Sequence, residues 1–90
     1  MAERRPRVIV GVDESEASAR ALDLAAWEAR SLSRPLELVR GVELPAPSPF
    51  TGYVPYDDAA RAARSWVSRA VDEARQRFPD LEISGSVVTG

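Results

Sequence analysis

Cysteine, histidine and lysine are missing altogether from the 90 residues. Without thiols or imidazoles there is no disulfide framework, thiol nucleophile, imidazole base or ordinary zinc site, and only carboxylates remain as metal ligands. All 12 basic residues are arginine, which excludes Schiff-base chemistry and the lysine of a Walker-type phosphate loop. No apolar run approaches the roughly 18 residues needed to span a bilayer, and the first residues are charged; no membrane partner and a cytoplasmic location are therefore expected. Strong charge of one sign is also lacking. A formal net charge of -2 gives no general attraction to nucleic acid, and the basic cluster of Arg4, Arg5 and Arg7, at and just after a tail over residues 1–6, reads as solvated rather than as a nucleic-acid arm.

What remains is an ordinary soluble composition, 44% hydrophobic and 29% charged, long enough for one small domain whose core is marginal unless a partner completes it. Arg7 to Val12 is a short β-branched run ended by polar residues, the pattern of a buried strand. Asp13-Glu14-Ser15-Glu16 follows with helix-start chemistry. Asp13 or Ser15 can accept from free backbone N–H groups, and Asp13 with Glu16 has capping-box spacing. From Ala17 to Ser33, Ser18, Leu22, Ala25, Ala26, Ala29 and Leu32 recur at helical spacing, while Leu24 and Trp27 fall on the opposite side. Trp27 reads either as a ring resting on neighbouring stems or as a partner-binding anchor.

Arg34-Pro35 ends that helix, and Leu36 to Val42 reads as a second strand, so the span implies a right-handed crossover between parallel strands. Residues 43–57 carry four prolines with Phe50, Tyr53 and Tyr56, a loop too long and irregular to be a strand. Its expected role is a loosely ordered connection, with a tyrosine stacking on a base as the sharper alternative. Asp58 to Phe78 forms a second amphipathic helix with Ala60, Ala63, Val67, Ala70, Val71, Ala74 and Phe78 inward, Trp66 at the edge, and Arg61, Arg64, Asp72 and Arg75 outward. Leu81 to Val88 reads as a third strand in which Gly85-Ser86 marks a bulge or bend. The order β-α-β-α-β over residues 7–90 is half of a doubly wound α/β fold, and such sheets bind ligands beyond the carboxyl ends of their strands.

Those ends carry a signature. Val8-Ile9-Val10-Gly11-Val12-Asp13-Glu14-Ser15 resembles the V-x-V-G-V-D-x-S opening of universal stress proteins, and the likeness continues through the Ala-rich first helix, Leu38-Val39-Arg40-Gly41-Val42, the proline-rich loop and Val87-Val88-Thr89-Gly90. The resemblance implies a parallel three-stranded sheet in the order 3-2-1, as the N-terminal half of a Rossmann-like fold. It implies a non-catalytic stress-response module that binds adenine nucleotide, ATP or AMP with Mg or Mn in a full-length form. It nominates Val12, Asp13, Gly41 and Val88 as adenosine contacts. The residue types suit that role, since a strand-end carboxylate accepts from ribose hydroxyls and free backbone groups read an adenine edge; helix capping is the plain alternative for Asp13.

One family element is not found. ATP-binding members carry G-x-x-G and, nine residues on, G-[S/T], a turn whose amides cradle phosphate, and Gly11, Gly41, Gly52, Gly85 and Gly90 never give that spacing. The expectation is a domain that stops before its phosphate-binding segment, with weak or absent ATP binding by these residues. In the family's strand order the first strand is central, so here it should present an unpaired edge and favour a homodimer or pairing through that edge. Two other functions fit less of the sequence. One is a nucleotide-independent interaction module working through Trp27 or the free edge. The other is an ATP pyrophosphatase-type enzyme of the related adenine nucleotide α-hydrolases, whose S-G-G-x-D-S loop this chain lacks apart from its Asp and Ser.

Overall fold

A computed structural model describes residues 6–42 and 56–89. Most of the basic tail and of the proline-rich segment at 43–57 lies outside the described residues. The element order is β1 (Val8–Gly11), α1 (Glu16–Leu32), β2 (Leu36–Val42), α2 (Tyr56–Arg77) and β3 (Ile83–Thr89). These bounds sit within a few residues of those expected. The three strands form one parallel sheet in the order β1-β2-β3, which is the expected 3-2-1 arrangement read from the other edge.

Both crossovers step in the same direction across the sheet, and both are right-handed by rule, so α1 and α2 lie on one face. Side-chain alternation then divides the strands. Val10, Val12, Leu36, Leu38 and Ile83 point under the helices and are buried with Ala25, Ala26, Ala29, Val67, Val71 and Ala74. Alanines on α1 and Gly85 on β3 let the helices lie close. A Cβ on Gly85 would come within 2.5 Å of Val67 Cγ1. Gly85 pairs in register with Leu38, so the expected bulge at Gly85-Ser86 is not there; the glycine serves the approach of α2.

Among the described residues no helix lies over the opposite face. It carries Ile9, 59% exposed, and Val88, 51% exposed, together with a polar line across the middle strand. There Glu37 pairs with Arg7 at 2.9 Å and accepts a hydrogen bond from the Ser86 hydroxyl at 3.1 Å. Parallel sheets are ordinarily covered on both faces. Among the described residues β1 is an edge strand, paired with β2 alone. The N–H groups of Val8 and Val12 donate inward to the carbonyls of Pro35 and Val39 at 2.8 and 2.9 Å, so Ile9 and Gly11 turn their backbone groups away from the sheet.

Three local details differ from the sequence reading. Leu32, expected on the buried stripe, is 47% exposed because it sits at the last turn beyond the sheet. Arg75, expected to face water, turns back and donates to the Ile83 carbonyl at 2.7 and 3.1 Å, tying the end of α2 to the start of β3. Arg34-Pro35 does not by itself stop α1. Ser33 adopts left-handed geometry (φ 52°) and donates to the carbonyls of Ala29 and Arg30, while Arg34 N–H closes back on Ala29 at 2.9 Å, a Schellman-type end built on serine.

Candidate functional site

Parallel strands deliver their carboxyl ends to one side of the sheet, and here the register makes that alignment explicit. Gly11 pairs with Val39, and Gly41 pairs with Val88. Two residues beyond the first pair stand Asp13 and Gly41, so Asp13, Gly41 and Val88 follow one another across the same edge. All three are exposed. No atom of the described residues lies within 4 Å of the position a Cβ on Gly41 would take, so among them that stretch of edge is open.

The turn after β1 is held by three short hydrogen bonds. Asp13 N–H donates to the Ser18 hydroxyl oxygen at 2.8 Å, Ser15 N–H donates to Asp13 Oδ1 at 2.8 Å, and Ser18 N–H donates to Ser15 Oγ at 3.0 Å. Ser15 is therefore the N-cap of α1, with Ser18 at the third helical position. The Asp13–Glu16 capping box does not form. Asp13 instead orders an Asx-turn through one carboxylate oxygen. Hydrogen bonding from Ser15, its hydroxyl ahead of its backbone N–H, holds the Asp13 carboxyl below the usual aspartate range, so at neutral pH the group is an exposed anion of fixed orientation.

Val12 is placed differently. Its side chain is buried in the core and its N–H is taken by the Val39 carbonyl, so that amide is not free to read a ligand. Of the four nominated residues, the structure brings Asp13, Gly41 and Val88 to the surface of one edge and turns Val12 inward beneath it.

Beside this edge lies a cluster that sequence reasoning missed. Arg40, on the helix-covered face of β2, forks onto both carboxylate oxygens of Glu14, with Nη1–Oε2 3.0 Å and Nη2–Oε1 2.9 Å. Its guanidinium also rests over the Trp66 ring, 4.6 Å from the centroid. The Arg40 hydrogen bonds hold the Glu14 carboxyl below the usual glutamate range. The fork joins the turn after β1 to the end of β2, and the stacked ring adds the middle of α2. The signal was present but slight: a single arginine near the end of an otherwise apolar strand, with a tryptophan on the edge of a helix. A cleft of about 470 Å³ opens there, with Glu14, Arg40, Gly41 and Trp66 among its lining. A smaller one of about 210 Å³ lies between the helices, with Asp13, Ser15 and Ser18 at its mouth.

Among the described residues no cluster of three or more acidic side chains converges to hold a metal ion. No helix among them is long and apolar enough to cross a membrane.

The model of the universal stress protein family matches residues 5–88. A solved structure of a protein from that family in Burkholderia pseudomallei superposes with a TM-score of 0.69 at 26% identity, covering 91% of this chain and 61% of that one. A universal stress protein solved in complex with cAMP superposes with a TM-score of 0.64 at 21% identity, covering 96% of this chain and 62% of that one; this second likeness bears on the fold alone. The chain thus spans 61% and 62% of the lengths of these two solved proteins. No curated protein shows a significant match.

Proposed function

The chain belongs to the universal stress protein family, and from that membership we propose that it is a non-catalytic, stress-response module that takes an adenine nucleotide at its strand-end edge. The observation that carries this reading is the alignment of the oriented Asp13 carboxylate with the open Gly41 and with Val88 on one rim. An ionised carboxylate accepts from ribose hydroxyls, a strand-end glycine admits a flat base, and a valine offers it an apolar side. A universal stress protein of the same fold was solved in complex with cAMP, a ligand of the class proposed here. Val12 contributes as the floor under the turn, through its buried side chain.

The nucleoside half of the ligand fits these residues and the phosphate half does not. The 90 residues contain no G-x-x-G turn followed nine residues later by G-[S/T], so phosphate gains none of the charge-assisted hydrogen bonds worth about 1.5–3 kcal/mol each. Binding by these residues is therefore weak, and it depends little on phosphate number. Mg or Mn, if it accompanies the nucleotide, would be carried by the phosphates, since no acidic cluster converges among the described residues.

The test is an amide NMR titration of the 90-residue chain with adenosine, AMP, cAMP and ATP. The expected result is a set of perturbed amides at Asp13 to Ser15, Gly41 and Val88, with affinities for the four ligands within about tenfold of one another. Substitution Asp13→Asn should weaken all four. Perturbations elsewhere, or ATP binding far tighter than adenosine, would end this reading.

A further inference from the structure

We propose that the outer face of α1 is a self-association surface, on which a second copy of the chain packs antiparallel about a two-fold axis at Leu24. Leu24 and Trp27 are 68% and 67% exposed, and they stand one turn apart on the side of α1 directly opposite the buried Ala25, Ala26 and Ala29. A tryptophan and a leucine left side by side in water form the kind of aromatic-centred patch that anchors interfaces. The patch is separate from the strand-end edge and does not depend on nucleotide binding.

The charges around the patch say what covers it. Arg20 and Glu28 lie four residues before and four residues after Leu24, on the same outer side of the helix. An isologous contact brings residue i of one copy opposite residue j of the other, and j opposite i. With the axis at Leu24, Arg20 of each copy falls level with Glu28 of the other, giving two opposite-charge pairs that flank an apolar centre. The same operation sets the bulky Trp27 opposite Ala21, three residues on the other side of Leu24, so that the large side chain meets a small one.

The neighbouring charges are already committed within the chain: Asp23 is paired with Arg77, and Arg30 with Asp80 at 2.9 Å. Arg20 and Glu28 make no ion pair among the described residues. A helix face whose unspent charges are opposite in sign and symmetric about its apolar centre matches its own two-fold copy. An unrelated partner would require no such symmetry.

Sedimentation velocity of the chain over a range of concentrations, with far-UV circular dichroism to confirm folding, decides the matter. The expected result is a reversible dimer. Its dissociation constant should rise more than about thirtyfold in L24S/W27S, and about tenfold in R20E or E28R alone, where attraction becomes repulsion at both ends of the seam. The double swap R20E/E28R should return to within about threefold of the parent, a rescue that misfolding cannot produce. A monomer at every concentration overturns the proposal, as does failure of the double swap to rescue. A dimer insensitive to all four α1 changes but lost in Ile9→Lys also overturns it, and assigns association to the sheet, at its uncovered face or the β1 edge.

Discussion

A methyl group added at Gly85 measures how tightly α2 lies on the sheet. The new carbon would stand 2.5 Å from Val67 Cγ1 and 2.7 Å from Val71 Cγ2, where unstrained carbons keep about 3.5–4.0 Å. Both valines are buried in the core, and a helical valine has essentially one favoured rotamer, so moving either costs about 0.5–1.5 kcal/mol. The alternative, lifting α2 by about 1 Å, opens its contacts with Leu38 and Ile83, and overfilling a close-packed core costs about 1–3 kcal/mol in general. Replacing a strand glycine returns about 0.5–1 kcal/mol through the unfolded chain. The balance for Gly85→Ala is about 1–2 kcal/mol of destabilisation, or roughly 5–15 °C in Tm for a domain of this size. The matched comparison is Gly41→Ala, where no described residue lies within 4 Å and Tm should hold or rise slightly. Thermal melts followed by circular dichroism read both. If Gly85→Ala melts no lower than the parent, or if the two variants fall together, the close approach of α2 is not what that glycine provides.

Ser33→Gly should stabilise by about 0.5–1 kcal/mol, because a left-handed position strains any residue with a Cβ; a lower Tm than the parent would contradict the geometry of that helix end. Acid titration of the side-chain carboxyls by NMR should place Glu14 and Asp13 below their ordinary values of about 4.3 and 3.9. Since both are depressed in the folded chain, their contribution to stability is present above those ordinary values and fades as pH falls through the lower folded ones. Arg40→Gln should bring Glu14 back toward its ordinary value and move Asp13 less, because Ser15 is the main influence on Asp13; an unmoved Glu14 would break the link.

Element order, strand direction and the one-edge alignment of Asp13, Gly41 and Val88 were all legible in the residues, because each rests on a local pattern: β-branched runs, alanine spacing, a capping cluster. The misreadings share a different origin. Gly85 looked like a bulge because a strand glycine announces only that something needs room, and what needs it, Val67 and Val71, lies on a helix about 14 to 18 residues earlier. Arg75 has the spacing of an outward residue, and only the return of β3 beneath it supplies the Ile83 carbonyl it holds. The Arg40–Glu14–Trp66 cluster joins three segments that no periodicity relates. Val12 is not among these misreadings: its family likeness specifies backbone neighbourhood, and the structure adds that its amide is taken by Val39. Leu24 and Trp27, by contrast, were placed on the outer side of α1 by spacing alone, and that is where they stand.

The brevity of β1 bears on how the rim behaves over time. At four residues, paired among the described residues along one side only, this strand has the shortest run of sheet pairing to lose on detaching. Local openings of a native structure concentrate where backing is thinnest. Because the Asp13 turn hangs from its end, such an opening would take the carboxylate away from Gly41 while β2 and β3 stay joined. A molecule bridging the two would act as a clasp on the N-terminal strand, and its occupancy would register as slower amide exchange at Val10 and Val12 before any change reached the rest of the sheet.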